Sequence, residues 1–292
     1  MHNQTVVVLD FGGQYKELIA RRVRECGVYS VIKPGDTPVE ELLKLNPIGF
    51  ITTGGPASVY EETSPHCSPE LFTCGVPVLG ICYGMQLMTW TLGGKVSSAS
   101  VSEYGPTAAA FETDAVLFDG LDTLQTVLMS HTDFVSEPPA GFLITARTAD
   151  CPVAAIECPD RKLYGVQFHP EVVHTKDGTK IIRKFLYDVC GAAGDYTMDD
   201  YIERTVKSIR EQVGDSKVIL GLSGGVDSSV AAALISKAIG ENLTCIFVDH
   251  GFMRKNEAIE VKNAFKDMPL KLIQLDESER FLSALKGVTD PE

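Results

Sequence analysis

The 292-residue sequence is poor in positive charge, with 26 lysines and arginines against 39 acidic residues and a formal net charge of −13. That deficit excludes a nucleic acid as the main partner, because counterion release from a polyanion needs clustered Lys and Arg. Nowhere do 18 apolar residues run together, so no membrane span is expected. Met1 to Gln14 has no basic region, sustained apolar segment or small-residue cleavage site, so no export signal is expected either, and the reading is cytoplasmic. CxxC pairs are also missing. The eight cysteines are Cys26, Cys67, Cys74, Cys82, Cys151, Cys158, Cys190 and Cys245, in a chain too long to need a disulfide framework, so reduced thiols are expected. Cys67/Cys74 and Cys151/Cys158 share a C-x6-C spacing, but no His or further Cys stands beside them at zinc-ligand spacing, which favours thiols buried as small hydrophobes.

Short apolar runs alternate with longer amphipathic segments, the pattern of an α/β fold around a mostly parallel sheet. Thr5 to Asp10, Pro47 to Thr52, Val76 to Ile81 and Leu163 to His169 read as strands; Gln14 to Cys26 and Thr179 to Cys190 read as helices. Between Gly94 and Glu157 several β-rich pieces follow one another without a long helix, which predicts antiparallel strands added to the parallel core. Residues 191–200 (GAAGDYTMDD) are small, acidic and aperiodic, as a linker is. The alternation then restarts: helix Asp200 to Val213, strand Lys217 to Leu222, helix Asp227 to Ile239, strand Leu243 to Asp249, helix Asn256 to Phe265, strand Leu270 to Leu275 and helix Glu277 to Leu285. This gives a domain over 1–190, a linker over 191–200 and a second domain over 201–292. Its three strands are fewer than a doubly wound sheet usually holds, so that domain is expected to be incomplete.

An apolar strand runs into Gly80-Ile81-Cys82-Tyr83-Gly84 and then into helix-forming residues, the layout of a nucleophile elbow with Cys in place of Ser. The positive end of a helix favours thiolate over thiol, and the next N–H, that of Tyr83, is placed to meet an oxyanion. On this motif alone, one more buried thiol is an equal reading. A thiolate nucleophile also needs a His oriented by a carboxylate. His169-Pro170-Glu171 supplies both, and in extended geometry residues two apart project to the same side. His131 either lines the same pocket or sits in a turn, and His250 has no comparable setting.

Gly80-Ile81-Cys82-Tyr83-Gly84-Met85-Gln86, with Thr53-Gly54-Gly55-Pro56 upstream and His169-Pro170-Glu171 downstream, resembles the class I glutamine amidotransferase family over about residues 5–190. The resemblance implies a flavodoxin-like domain with a mixed sheet, and a triad of Cys82, His169 and Glu171 that hydrolyses the side-chain amide of glutamine through a thioester. It further implies an oxyanion hole from the N–H groups of Gly55 and Tyr83, and glutamine contacts from Gln86 and from the loop of Tyr104 and Gly105.

In the second domain, strand Lys217 to Leu222 ends in Ser223-Gly224-Gly225-Val226-Asp227-Ser228-Ser229 before an Ala-rich helix. Glycines, converging N–H groups, a helix N-terminus and hydroxyls make an anion nest. No Lys follows as in a Walker A loop, and an Asp among phosphate donors calls for a bridging cation such as Mg2+. The string resembles the pyrophosphate loop of the N-type ATP pyrophosphatases (adenine nucleotide alpha hydrolase-like), doubly wound enzymes that cleave ATP between its α and β phosphates. That likeness implies ATP at Ser223 to Ser229, with Asp227 as a Mg2+ ligand. Val248-Asp249-His250-Gly251 resembles a further element of that family near the nucleotide, with His250 where Asn is commoner.

An amidotransferase followed by this pyrophosphatase resembles the glutamine-hydrolysing GMP synthase family. The resemblance implies glutamine, XMP and ATP as substrates, and a homodimer formed through a C-terminal region that does not follow Glu292. An amidotransferase serving another acceptor and a catalytically silent binding domain on the same scaffold are the alternatives.

Overall fold

Val6, Val7, Val8 and Leu9 in strand β1 (Thr5–Asp10) are all fully buried. The cause is cover on both sides. Val6 and Val8 share an apolar cluster with Ile19 and Val23 of helix α1 (Lys16–Glu25), while Val7 and Leu9 cluster with Val39 and Leu42 of helix α2 (Val39–Leu43). A strand buried on both faces reads as an unbroken apolar run rather than an alternation. The computed structural model describes residues 4–290, excluding the side chains of Ser100, Val101 and Asp200; His2, Pro291 and Glu292 lie outside it. The chain forms two units, Met1–Tyr196 and Thr197–Glu292.

The first unit continues with β2 (Tyr29–Pro34), β3 (Pro47–Thr52), β4 (Val78–Ile81), helix α3 (Tyr83–Thr91), β5 (Lys95–Phe111), β6 (Leu124–Glu137), β7 (Leu143–Arg147), β8 (Ala155–Cys158) and β9 (Leu163–Val166). Helix α4 (Gly178–Lys184) then runs into a π-helical turn, Phe185–Val189. The nine strands form one sheet in the order β2-β1-β3-β4-β9-β8-β7-β5-β6. Pairing is parallel from β2 to β9 and antiparallel from β9 to β6. The parallel part has the flavodoxin-like order. The antiparallel extension is the helix-free stretch seen in the sequence.

Two elements had no sequence signal strong enough to be read. Strand β2 lies at the sheet edge and ends in Lys33-Pro34, and α2 is only five residues long. The stretch 191–200 is held rather than loose up to Tyr196. Ala193 N–H donates to Gln4 Oε1 at 2.7 Å, Tyr196 N–H donates to Gly27 O at 2.9 Å, and Met198 already opens the next helix.

The second unit comprises α5 (Met198–Val213), β10 (Val218–Gly221), α6 (Val226–Ile239), β11 (Leu243–Asp249), α7 (Glu257–Phe265), β12 (Lys271–Asp276) and α8 (Ser278–Ala284). Its strands pair in parallel in the order β10-β11-β12, with Leu222, Ala232, Leu243, Cys245, Phe247, Val261 and Phe265 forming the core. Among the described residues no helix is long and apolar enough to cross a membrane.

Candidate active site

Cys82 stands between β4 and α3 with φ +51° and ψ −109°, a left-sided backbone that few non-glycine residues adopt. The turn is held by the Cys82 N–H, which donates to Val166 O on β9 at 2.8 Å. Both flanking glycines are required by space. A Cβ on Gly80 would lie 2.6 Å from Met85 N, and one on Gly84 would collide with the side chain and carbonyl of Thr52. The Gly-x-Cys-x-Gly pattern is thus the sequence trace of two close backbone approaches.

A cavity of about 360 Å³ opens at the carboxyl ends of the parallel strands, where open α/β sheets place their ligands. Gly12, Gly13 and Gln14 line it after β1, Thr53 to Pro56 after β3, Cys82 after β4, and His169 and Glu171 after β9, with Ser130 from β6. The sequence thus spreads over 160 positions what the sheet gathers at one end.

His169 Nδ1 and Glu171 Oε1 are 2.7 Å apart and both side chains are buried. Strand β9 stops at Val166, so the pair meets across the turn at Pro170 and not through the alternation of an extended strand. The turn is pinned by the His169 N–H to Leu128 O at 3.0 Å and by the Thr175 hydroxyl, which donates to His169 O at 2.6 Å. Arg22 Nε donates to Glu171 O at 2.9 Å, and the Tyr15 ring stands edge-on to the imidazole at 5.4 Å. Burial alone would lower the His169 pKa, but the Cys82 thiol and the Glu171 carboxylate beside the ring outweigh it and push it up to about 10.

The N–H of Gly55 makes no hydrogen bond among the described residues, and that of Tyr83 is the first of α3, with no carbonyl one turn earlier in the helix. The Tyr83 side chain points elsewhere, its hydroxyl donating to Pro65 O at 2.6 Å. Gln86 is 3% exposed and does not line the cavity; its amide donates to Asp133 O at 2.7 Å and to Gln167 Oε1 at 3.2 Å. Tyr104 and Gly105 lie on β5, Tyr104 being exposed with its hydroxyl 2.9 Å from Thr132 Oγ1. Neither borders the cavity. Gln167, which no motif singled out, donates through Nε2 to Cys82 Sγ at 3.6 Å.

His131 belongs to strand β6, and it is buried away from the cavity that its neighbour Ser130 lines. Its Nε2 lies 3.2 Å from Glu103 Oε2, and burial keeps its pKa below the usual histidine range despite that carboxylate. Glu103, His131 and Cys151 bring one ligand-type atom each within 4.8 Å of one another, an assembly made by the fold and invisible in the C-x6-C spacing. These groups are engaged locally: Thr148 Oγ1 donates to Glu103 Oε1 at 2.8 Å and the Cys151 thiol donates to Val153 O at 3.4 Å. All eight cysteines are free.

In the second unit, Ser223 to Ser229 form the turn from β10 into α6, with Gly224 at φ +81° and Gly225 as the helix cap. Ser228 Oγ organises the loop: it accepts from Ser223 N at 3.3 Å, donates to Gly225 O at 3.2 Å and lies 3.0 Å from Ser223 Oγ. A second cavity, of about 410 Å³, is lined by Gly224, Ser229, Arg254, Lys255 and Glu257 among others. Arg254 and Lys255 supply cations that the loop motif itself lacks. Val226 and Asp227 are exposed, and His250 packs beside Phe252 and Phe281 at 5.7 and 6.1 Å.

Comparison with known proteins gives the same division. The glutamine amidotransferase class-I family matches residues 7–189, and the NAD synthase family matches residues 198–289. The chain is 56% identical over its whole length to the glutamine-hydrolysing GMP synthase of Caldicellulosiruptor saccharolyticus and 54% identical to that of Acetivibrio thermocellus. It spans 57% of the length of each. A solved Thermoplasma acidophilum protein, proposed to be a GMP synthase subunit, superposes with a TM-score of 0.60 at 31% identity, covering 70% of this chain and 99% of that one. A glutamine amidotransferase structure from Thermotoga maritima, 17% identical, shares the fold at a TM-score of 0.53 over 66% of this chain and all of its own. With a class-I match across residues 7–189 and an elbow cysteine facing a buried His–Glu pair, the chain belongs to the class-I glutamine amidotransferase family.

Proposed function

We propose that the chain hydrolyses the side-chain amide of glutamine, with Cys82 as nucleophile, His169 as proton carrier and Glu171 as the carboxylate that orients it. The reading rests on one observation: an elbow cysteine at positive φ shares a cavity with a buried, hydrogen-bonded His–Glu pair and with Gly55, whose N–H makes no hydrogen bond among the described residues. With the Cys82 proton carried by His169, Cys82 attacks the amide carbon as the thiolate, and the resulting oxyanion is met by the N–H groups of Gly55 and Tyr83. The C–N bond then breaks as the imidazolium protonates the leaving ammonia, which leaves a thioester. Water, deprotonated by His169, attacks that thioester and releases glutamate. Gln86, Tyr104 and Gly105 are proposed as glutamine contacts on the family likeness alone, since none of the three lines the cavity.

The GMP synthases to which the chain is similar suggest the destination of the ammonia: amination of adenylated XMP to give GMP, with AMP and pyrophosphate released. In that reading residues 1–190 are the amidotransferase, 191–200 the connection and 201–292 part of the ATP pyrophosphatase. ATP phosphates fit the Ser223 to Ser229 nest, helped by Arg254 and Lys255. The hard oxygen donors of Asp227 and the loop hydroxyls suit Mg2+, which would neutralise phosphate charge there. A cytoplasmic homodimer acting on small molecules, without nucleic acid, completes the proposal.

The test follows ammonia release from amide-labelled glutamine. Cys82→Ala should abolish it while leaving the melting curve nearly unchanged; wild-type rates in that variant would overturn the assignment. Adding XMP and ATP-Mg to a full-length relative should carry the label to C2 of GMP, whereas a chain serving another acceptor would leave XMP unaminated.

A further inference from the structure

Gln167 is fully buried, and its side-chain amide reaches the sulfur of Cys82 at 3.6 Å. Which end of the amide faces the sulfur follows from its neighbours. A main-chain carbonyl only accepts, so the Gln86 atom 2.7 Å from Asp133 O is the nitrogen. That same nitrogen lies 3.2 Å from Gln167, which must present its oxygen there and therefore turns its NH2 towards Cys82. The Gln86 nitrogen thus donates both to Asp133 O and to Gln167 Oε1, and the Gln167 amide so oriented donates on to Sγ. Neither glutamine lines the cavity, so the Gln167 amide approaches the sulfur from behind and not from the substrate side.

The sulfur has a second partner of opposite polarity. Ser130 O stands 3.7 Å from Sγ and accepts from the thiol. A carbonyl favours S–H, whereas an N–H donor favours S−, because a hydrogen bond to the charged form stabilises that form. In the state with the proton on His169, the bond to Ser130 is lost and the one from Gln167 is strengthened, with no covalent change at either glutamine. We propose that Gln167 is a catalytic residue that donates an N–H hydrogen bond to the Cys82 thiolate, with Gln86 as the positioning residue that fixes its amide. The proposal rests on Cys82 being the nucleophile.

The test measures the iodoacetamide alkylation rate at Cys82 against pH on the full chain, read from the mass of the Cys82 peptide, for wild type, Gln167→Met and Gln86→Met. Gln167→Met should move the midpoint of the rate profile up by about one pH unit, a roughly tenfold slower reaction below the midpoint, with the high-pH plateau kept. Gln86→Met should shift it the same way by less. A purely structural role would lower the melting temperature without moving the midpoint, and an unmoved midpoint in folded Gln167→Met overturns the proposal. If Gln167→Met does not fold, Gln86→Met decides, and a wild-type midpoint there overturns it equally. Because the labelling needs no glutamine turnover, its failure is distinct from a failure of the nucleophile assignment, which glutamine hydrolysis by Cys82→Ala would reveal.

Discussion

His169 and Glu171, two residues apart around Pro170, share a 2.7 Å hydrogen bond with Glu171 Oε2 left unpartnered among the described residues. That arrangement fixes which ring nitrogen faces Cys82: with Nδ1 given to the carboxylate, Nε2 is the one free to exchange a proton. Glu171→Gln keeps the shape and removes the charge that stabilises the imidazolium. Glutamine hydrolysis should fall by about 10² to 10⁴ in kcat with KM little changed, by analogy with the loss of the carboxylate from a Ser-His-Asp triad. Steady-state ammonia release measures it; a KM effect alone would contradict an orienting role.

The same pair makes stability depend on pH. The folded pKa of His169, pushed up to about 10, lies above the ordinary 6.5, so the folded state holds a proton that the unfolded chain releases first. The stabilisation is fully present below about pH 6.5 and is lost as pH rises through about 10. Thermal melts from pH 6 to 10.5 should show a steeper alkaline loss for wild type than for His169→Gln. Parallel curves would mean that the ring is not held as an imidazolium.

Gly84→Ala should damage the first unit more than its size suggests, since the new methyl would meet Thr52 side chain and backbone together. Backbone cannot rotate away as a side chain can, so a loss of about 1–3 kcal/mol or more is expected, read as a lower melting temperature together with lost glutaminase activity. A stable, active variant would show that the elbow has room that the structure does not give it.

What the sequence disclosed and what it hid follow from how each feature is encoded. The elbow was legible because steric demand at Gly80 and Gly84 leaves a local trace, and β1 because two-sided burial leaves an apolar run. Gln167 was not: its importance comes from meeting Cys82 and Gln86 across 85 and 81 positions of chain, contacts that only the sheet order creates. His131, read from the sequence as lining the pocket or sitting in a turn, does neither: it lies within β6, where strand alternation turns it to the face opposite Ser130. Arg254 and Lys255 carry no motif, being charges on a loop that the fold brings beside Gly224.

Ser228→Ala should disable the second-unit loop more than loss of one hydroxyl implies, because Ser228 Oγ ties Ser223 to Gly225. ATP-Mg protection of this segment against hydrogen exchange should be lost in the variant, while glutamine hydrolysis stays unchanged. Protection equal to wild type would place the nucleotide elsewhere.

Thiol reactivity separates an enzyme from a silent scaffold. Burial pushes the thiols of Cys67 and Cys151 up to about 12, and raises those of Cys26, Cys190 and Cys245 as well, so these five are poor nucleophiles at neutral pH. The Cys158 thiol is buried and the Cys74 thiol is bonded to Leu71 O at 3.3 Å. Among the described residues, Cys82 is the cysteine that lines the cavity shared with a histidine held to a carboxylate. Limited iodoacetamide at pH 7 should therefore label Cys82 first, and saturating glutamine should slow that labelling by occupying the cavity and holding part of the enzyme as thioester. A binding domain without catalysis would also be protected by its ligand but would release no ammonia, so the two measurements taken together decide. Labelling spread evenly over several cysteines would remove the ground for treating Cys82 as the nucleophile.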